Sequence, residues 1–161
     1  FAQDKVHVKL PLYKYTGAQG EKMVRVSEEG QSAHTIFRVL QRFSGPLLHQ
    51  IGLSDLTYIE ATLKTGRTHQ IRVHMQSQAC PIAGDERYGD YQANKRLQKI
   101  GLKRMFLHAA ELHLSHPLTD EPLKLVAPLP QELAQMMAML ENSQSKPTEL
   151  QTDSLLKKII H

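Results

Sequence analysis

The sequence predicts an α+β domain with mostly antiparallel pairing in a mixed sheet flanked by helices. Three observations predict it. Short β-rich runs fill the first 63 residues and are separated by Gly, Pro and Ser turns. A helical spacing then replaces the alternation, beginning just after Gly66. Beyond it, a hairpin pattern at 106–126 precedes a second clear amphipathic segment. Runs of strands followed by helices fit α+β better than a regular βαβ alternation.

Taken in order, residues 5–12 alternate so that Val6, Val8, Leu10 and Leu12 share one face of a strand. Pro11 cannot donate to a ladder and places this strand at an edge or near its end. Thr16 to Gly20 reads as a turn, Met23 to Val26 as a short strand ended by Glu29-Gly30. Residues 34–43 make a further strand around Ile36 and Phe37, broken at Ser44-Gly45-Pro46. Leu47 to Ile51 reads as a short strand, Gly52 to Asp55 as a turn, and Thr57 to Leu63 as a β-rich strand stopped by Gly66.

From Thr68, the residues Ile71, Met75 and Gln78 fall at helical spacing, with Thr68 as the expected N-cap. Gln92 to Ile100 is a polar helix ended by Gly101. Phe106 to Leu114 becomes strand-like at its end, 116–122 is a hairpin loop, and Leu123 and Leu125 lie on the return strand. Gln131 to Leu140 is a helix with Leu133, Met136, Met137 and Leu140 on its apolar side. Residues 1–142 are expected to form one domain unit and 143–161 a linker or tail, since the composition turns to Ser, Gln, Lys, Pro and Thr. The opening Phe-Ala-Gln-Asp, with no initiator Met, reads as a chain cut from something longer.

Composition excludes several classes. One cysteine, Cys80, rules out a disulfide framework and favours a reducing, cytoplasmic setting. No run reaches the roughly 18 apolar residues of a membrane span. Charge is uneven: 16 basic against 9 acidic residues in 1–110, and 4 against 7 in 111–161. The basic part suits a polyanion, most simply nucleic acid, although a net charge of +4 is also ordinary for a solvated surface.

The densest polar cluster is Gly66-Arg67-Thr68-His69-Gln70-Ile71-Arg72-Val73-His74. Arg67 precedes a helix start, where amide donors and a guanidinium both favour an anion. His69 and Arg72 are three apart and share a helix face. The plain alternative is a capped helix with two solvated arginines. His69 and His74 are five apart, a poor spacing for one metal, and Cys80 stands alone, so a metal hydrolase built on these three is a weak rival. No phosphate loop, dinucleotide fingerprint or serine-esterase elbow occurs. The second cluster, Ala83 to Gly89, contains Asp85, which fits a turn cap better than a catalytic acid. The third, Arg104 to Ala110, reads as an apolar strand entering the core.

Together the three clusters resemble the RluA family of pseudouridine synthases. The resemblance rests on Gly66 to His74, on Ala83-Gly84-Asp85 with Tyr88-Gly89, and on Arg104 to Ala109 with His116-Pro117. It spans roughly 60–130, with 5–60 fitting the strands before it. The stretch Val24 to Ser27 and the turn Arg87 to Asp90 are similar to the large-subunit ribosomal RNA type of the family. The resemblance implies part of a pseudouridine synthase catalytic domain. It also implies isomerisation of uridine to pseudouridine in ribosomal RNA, with no metal or organic cofactor. The uracil leaves its ribose nitrogen link, turns, and rejoins through carbon. An aspartate carboxylate is the essential group; whether it attacks sugar or base first stays open. The base must be flipped from its stack to be reached.

Residue by residue, Arg67 matches the arginine that pairs with the catalytic carboxylate, and Leu107 matches an apolar residue of the uracil pocket. His69, Gln70 and Arg72 are expected to support the site or touch RNA. The family nucleophile lies in a His-Arg-Leu-Asp-x-x-Thr-Ser-Gly motif, and nothing like it occurs in these 161 residues. The base-stacking tyrosine belongs to a Lys-x-Tyr segment expected before residue 1. The chain alone is therefore expected to be inactive, leaving a non-catalytic RNA-binding module as the alternative. A sheet severed at Phe1 would present an apolar edge, which favours self-association.

Overall fold

The computed structural model describes residues 2–144. Seven strands and four helices follow one another as β1 (Lys5–Val8), β2 (Leu12–Thr16), β3 (Lys22–Val26), β4 (Thr35–Ser44), α1 (Pro46–Gln50), β5 (Asp55–Leu63), α2 (Gln70–Ser77), α3 (Tyr91–Gln98), β6 (Glu111–Ser115), β7 (Pro122–Val126) and α4 (Gln131–Gln144). The class is α+β, as the sequence predicts. Every described ladder is antiparallel, but there are three sheets instead of one: β1-β4-β5, β2-β3 and β6-β7.

Pro11 explains the first departure. The expected continuous strand over 5–12 is split, with β1 at the edge of the three-stranded sheet and β2 starting a separate hairpin. Leu47 to Ile51 is a helix, not a strand. Pro46 at its first position presets the helical φ, and Gly45 turns into it at φ 126°. A five-residue apolar run reads equally well either way until its packing is known, and here Leu48 is buried beside α4 residues. Helix α4 runs on to Gln144, two residues beyond the expected domain limit. The tail reading for 145–161 lies outside the described residues.

A bulge in β4 organises the core. Phe37 pairs with Ala61 and Phe43 with Leu56, so the register shifts between Val39 and Gln41. Six residues on β4 thus span five on β5, which puts the two phenylalanines on opposite faces of the sheet. Phe37 packs with Val8, Met75 and Ile82, against β1 and α2. Phe43 packs with Leu48, Leu97, Leu133, Met136 and Leu140, the helical layer. A third cluster, Leu12, Val24, Ala33, Val73 and Tyr88, fixes the β2-β3 hairpin to α2. The β6-β7 hairpin places Leu112 and Leu114 opposite Leu125 and Leu123, and Leu112, Leu114 and Leu125 remain exposed.

Candidate active site

Gly66 to His74 forms the turn after β5 and most of α2, as the spacing requires, but the cap differs. His69, not Thr68, occupies the N-cap position, in the left-handed region at φ 53°, and no side chain caps the helix in the usual way. The turn is held from inside the helix. Gln70 Oε1 accepts from the Arg67 amide at 3.0 Å and from the Thr65 hydroxyl at 2.7 Å. Gln70 Nε2 donates to the His34 carbonyl at 3.1 Å and to Thr35 Oγ1 at 3.0 Å. All four hydrogen-bonding positions of one amide are filled, in a residue only 2% exposed.

The network continues inward. His74 Nε2 donates to the Leu10 carbonyl at 2.9 Å, so its Nδ1 accepts from the Thr35 hydroxyl at 2.8 Å. Burial holds the His74 pKa below its ordinary value near 6.5, with the bond to Leu10 pulling the other way. Both ring nitrogens of His74 are thus committed, which removes it from the metal-hydrolase rival. Among the described residues, no group of three or more His, Cys, Asp or Glu is arranged to hold a metal ion.

Arg67 stands on the outer side of this turn. Its side chain is exposed, and Nε donates to the Ser32 carbonyl at 3.2 Å. No carboxylate among the described residues pairs with it. A guanidinium fixed at one nitrogen and open at the others is a ready partner for a carboxylate or phosphate. The structure therefore leaves Arg67 open and locally positioned, the two properties an acid-pairing arginine needs.

Arg72 differs. Its Nε and Nη2 form a two-pronged bond to Asp85, each at 2.8 Å, and the guanidinium lies 4.8 Å from the Tyr88 ring centroid. The Asp85 side chain is fully buried. It also accepts from the amides of Arg87 at 2.9 Å and Tyr88 at 3.0 Å. Burial would raise its pKa, but the Arg72 bond and then the two amides outweigh that and hold the carboxyl below its usual range. Asp85 is a turn cap and buried ion partner, in keeping with the sequence reading.

Tyr88 is the residue that sequence reasoning undervalued. Its hydroxyl accepts from the Val24 amide at 2.9 Å and shares a 2.9 Å hydrogen bond with His69 Nδ1. One phenol so joins the hairpin, the turn at 85–88 and the start of α2. Burial, then Arg72 and Arg87, lower the His69 pKa, which favours the neutral ring. The clue in sequence was a tyrosine inside the compact Gly84–Gly89 cluster.

Gly84 brings the third cluster to the second. It sits at φ 76°, and a Cβ there would lie 2.3 Å from the Arg104 carbonyl oxygen. That approach lets the Phe106 amide donate to the Ala83 carbonyl at 2.8 Å. Leu107 then joins the Phe37 cluster, together with Ile71 and Met75 of α2. It is half-buried in the stretch before β6, against α2, the helix that also carries Gln70 and Arg72.

A family model described as RNA pseudouridylate synthase matches residues 2–77. Over 138 residues the chain is 39% identical to ribosomal large subunit pseudouridine synthase C of Pasteurella multocida (strain Pm70), covering 86% of this chain and 39% of that protein. The protein of the same name from Escherichia coli (strain K12) is 40% identical over 138 residues, 84% of this chain and 40% of that one. The chain spans about two fifths of the length of these relatives. Among solved structures, human RNA pseudouridylate synthase domain containing 1 superposes with a TM-score of 0.62 at 20% identity, covering 91% of this chain and 62% of that one. That likeness shows a shared fold.

Proposed function

We propose that this chain of the RNA pseudouridylate synthase family is the C-terminal part of the catalytic domain of an enzyme that converts uridine to pseudouridine in large-subunit ribosomal RNA. The observation that carries this reading is Arg67: exposed, without a carboxylate partner among the described residues, and held through its backbone by Gln70. In the reaction the bond from ribose C1′ to uracil N1 breaks and a bond from C1′ to C5 forms. N1 gains a proton and C5 loses one. Arg67 pairs with the aspartate that drives this exchange, holding it ionised and oriented. Leu107 lines the uracil pocket beside Ile71. His69, Gln70 and Arg72 act by positioning, because their hydrogen bonds are spent on Tyr88, the Arg67 turn and Asp85.

The aspartate motif is absent from these 161 residues, so the chain by itself binds RNA without turnover. That is also where the RNA-binding-module reading draws its support. Joining the chain to a segment carrying the aspartate motif separates the two. Release of tritium from uridine labelled at C5 is expected from the joined protein and not from the chain alone. A joined, folded protein that releases none supports the binding module instead. RNA affinity is expected to fall steeply with salt, because phosphate contacts release counterions; a flat dependence would remove the electrostatic basis. No metal or organic cofactor takes part in this reading. Among the described residues no helix is long and apolar enough to cross a membrane. We place the protein in the cytoplasm, with its ribosomal RNA substrate. The exposed leucines of the β6-β7 hairpin favour self-association of the isolated chain; a single monomer boundary in sedimentation at every concentration would contradict that.

A further inference from the structure

The β2-β3 hairpin has one face in the core and one in solvent. Leu12 and Val24 are buried on the inner side. On the outer side Tyr13 and Tyr15 follow each other two residues apart, and Arg25 is the cross-strand partner of Tyr13. The Arg25 guanidinium lies 5.6 Å from the centroids of both rings. The tyrosines are 38% and 37% exposed. Solvent gains nothing from two phenol rings and a guanidinium held together on a two-stranded ribbon, whereas an unpaired nucleobase finds both an aromatic face and a cationic plane there.

We propose that Tyr13, Arg25 and Tyr15 form a stacking platform for unpaired bases of the RNA that flank the target uridine; this deepens the functional reading above and rests on it. Two further observations support that occupant. Basic charge edges the hairpin: Lys14 and Lys22, which alternate with the tyrosines and Arg25 along the two strands, and Arg87 beside them are exposed, and the tip carboxylate of Glu21 turns back to the Gln19 amide at 3.0 Å. The hairpin is also fixed to the candidate active site. Arg87 Nη1 donates to the Lys22 carbonyl at 2.7 Å, and the Val24 amide donates to the same Tyr88 hydroxyl that bonds His69. Bases held on the outer face therefore have a set position relative to the turn that carries Arg67. The platform is separate from the tyrosine that stacks on the reacting base, which belongs to a segment absent from this sequence.

The test measures anisotropy of a labelled single-stranded oligouridylate of about 12 nucleotides, and of an RNA duplex of equal length, with the full 161-residue chain. Tyr13→Ala with Tyr15→Ala is expected to weaken oligouridylate binding about tenfold or more, since each stacked base contributes on that scale, and to leave duplex binding and the melting temperature unchanged. Tyr13→Phe with Tyr15→Phe is expected to bind as the native chain does. Native affinity in the alanine pair, an equal loss on duplex, a loss in the phenylalanine pair, or no binding by the native chain would each overturn the platform. Each single alanine variant repeats the measurement should the pair melt early. In the protein joined to its aspartate segment, tyrosine-dependent binding without pseudouridine formation would reject the enzyme reading and leave the platform standing.

Discussion

Replacing Gln70 by Met isolates what one buried amide does for the Arg67 turn. Methionine has nearly the same length and no donor or strong acceptor. Four hydrogen bonds are lost: from the Thr65 hydroxyl, from the Arg67 amide, to the His34 carbonyl and to Thr35 Oγ1. They do not cost equally. The His34 carbonyl still accepts from the Lys64 amide at 3.0 Å, and the Thr35 hydroxyl still donates to His74. The Thr65 hydroxyl and the Arg67 amide lose their protein acceptor in part-buried surroundings. At about 1 kcal/mol net for each of these two bonds, the loss comes to about 2 kcal/mol. With a urea slope of about 1–3 kcal/mol per molar, the unfolding midpoint falls by about 0.7–2 M at unchanged slope. A fall below about 0.3 M would refute the network as a source of stability. The turn itself gives a second reading. In the joined enzyme, Gln70→Met is expected to lower kcat while RNA affinity holds, because Arg67 stays present but loses its fixed backbone. Thr65→Val combined with Gln70→Met is expected to cost less than the two single changes added together, since they share one bond.

Asp85→Ala strips a buried partner from Arg72 and leaves the amides of Arg87 and Tyr88 without their acceptor, so a loss of about 3 kcal/mol or more is expected by urea unfolding; a near-neutral result would show that the ion pair adds nothing. Stability is also expected to fall as pH drops from 7.5 to 5.5. His74 has a native pKa held below its ordinary value near 6.5, so the unfolded chain takes up the proton first, and the native state's advantage, complete above that value, shrinks as pH falls through it toward the native pKa. Asp85 works in a separate window: its carboxyl is held below the usual range near 3.8, so its contribution is complete above that value and disappears only under stronger acid. Urea midpoints that stay level from pH 7.5 to 5.5 would contradict the His74 assignment.

Much of the site was legible because its signals are local. A glycine ending a strand, then helical spacing from residue 71 onward, located α2 from a dozen residues. The hairpin at 116–122 and helix α4 are legible for the same reason. What escaped depends on partners far away in sequence. Thr68 has the chemistry of an N-cap, yet Gln70 holds the turn because Thr35 and the His34 carbonyl lie within its reach, 35 and 36 residues upstream. Arg72 looked like a solvated or RNA-facing cation; only the turn at 85–88 folding under it makes it the partner of Asp85. The α1 helix was misread because an apolar pentapeptide has no period to display. The bulge near Leu40 has no mark in composition, since it exists to set Phe37 and Phe43 on opposite faces. Tyr88 was visible as part of a motif but not as the hub where hairpin, turn and helix meet.

The most direct measurement concerns the open guanidinium. In the protein joined to a segment that carries the aspartate, Arg67→Ala is expected to abolish nearly all tritium release from C5-labelled ribosomal RNA while the RNA dissociation constant changes little, and Arg67→Lys, which keeps the charge but not the two-pronged geometry, is expected to recover only part of the rate. Native turnover in Arg67→Ala, or a loss explained wholly by weaker RNA binding, would contradict the claim that this arginine pairs with the catalytic carboxylate.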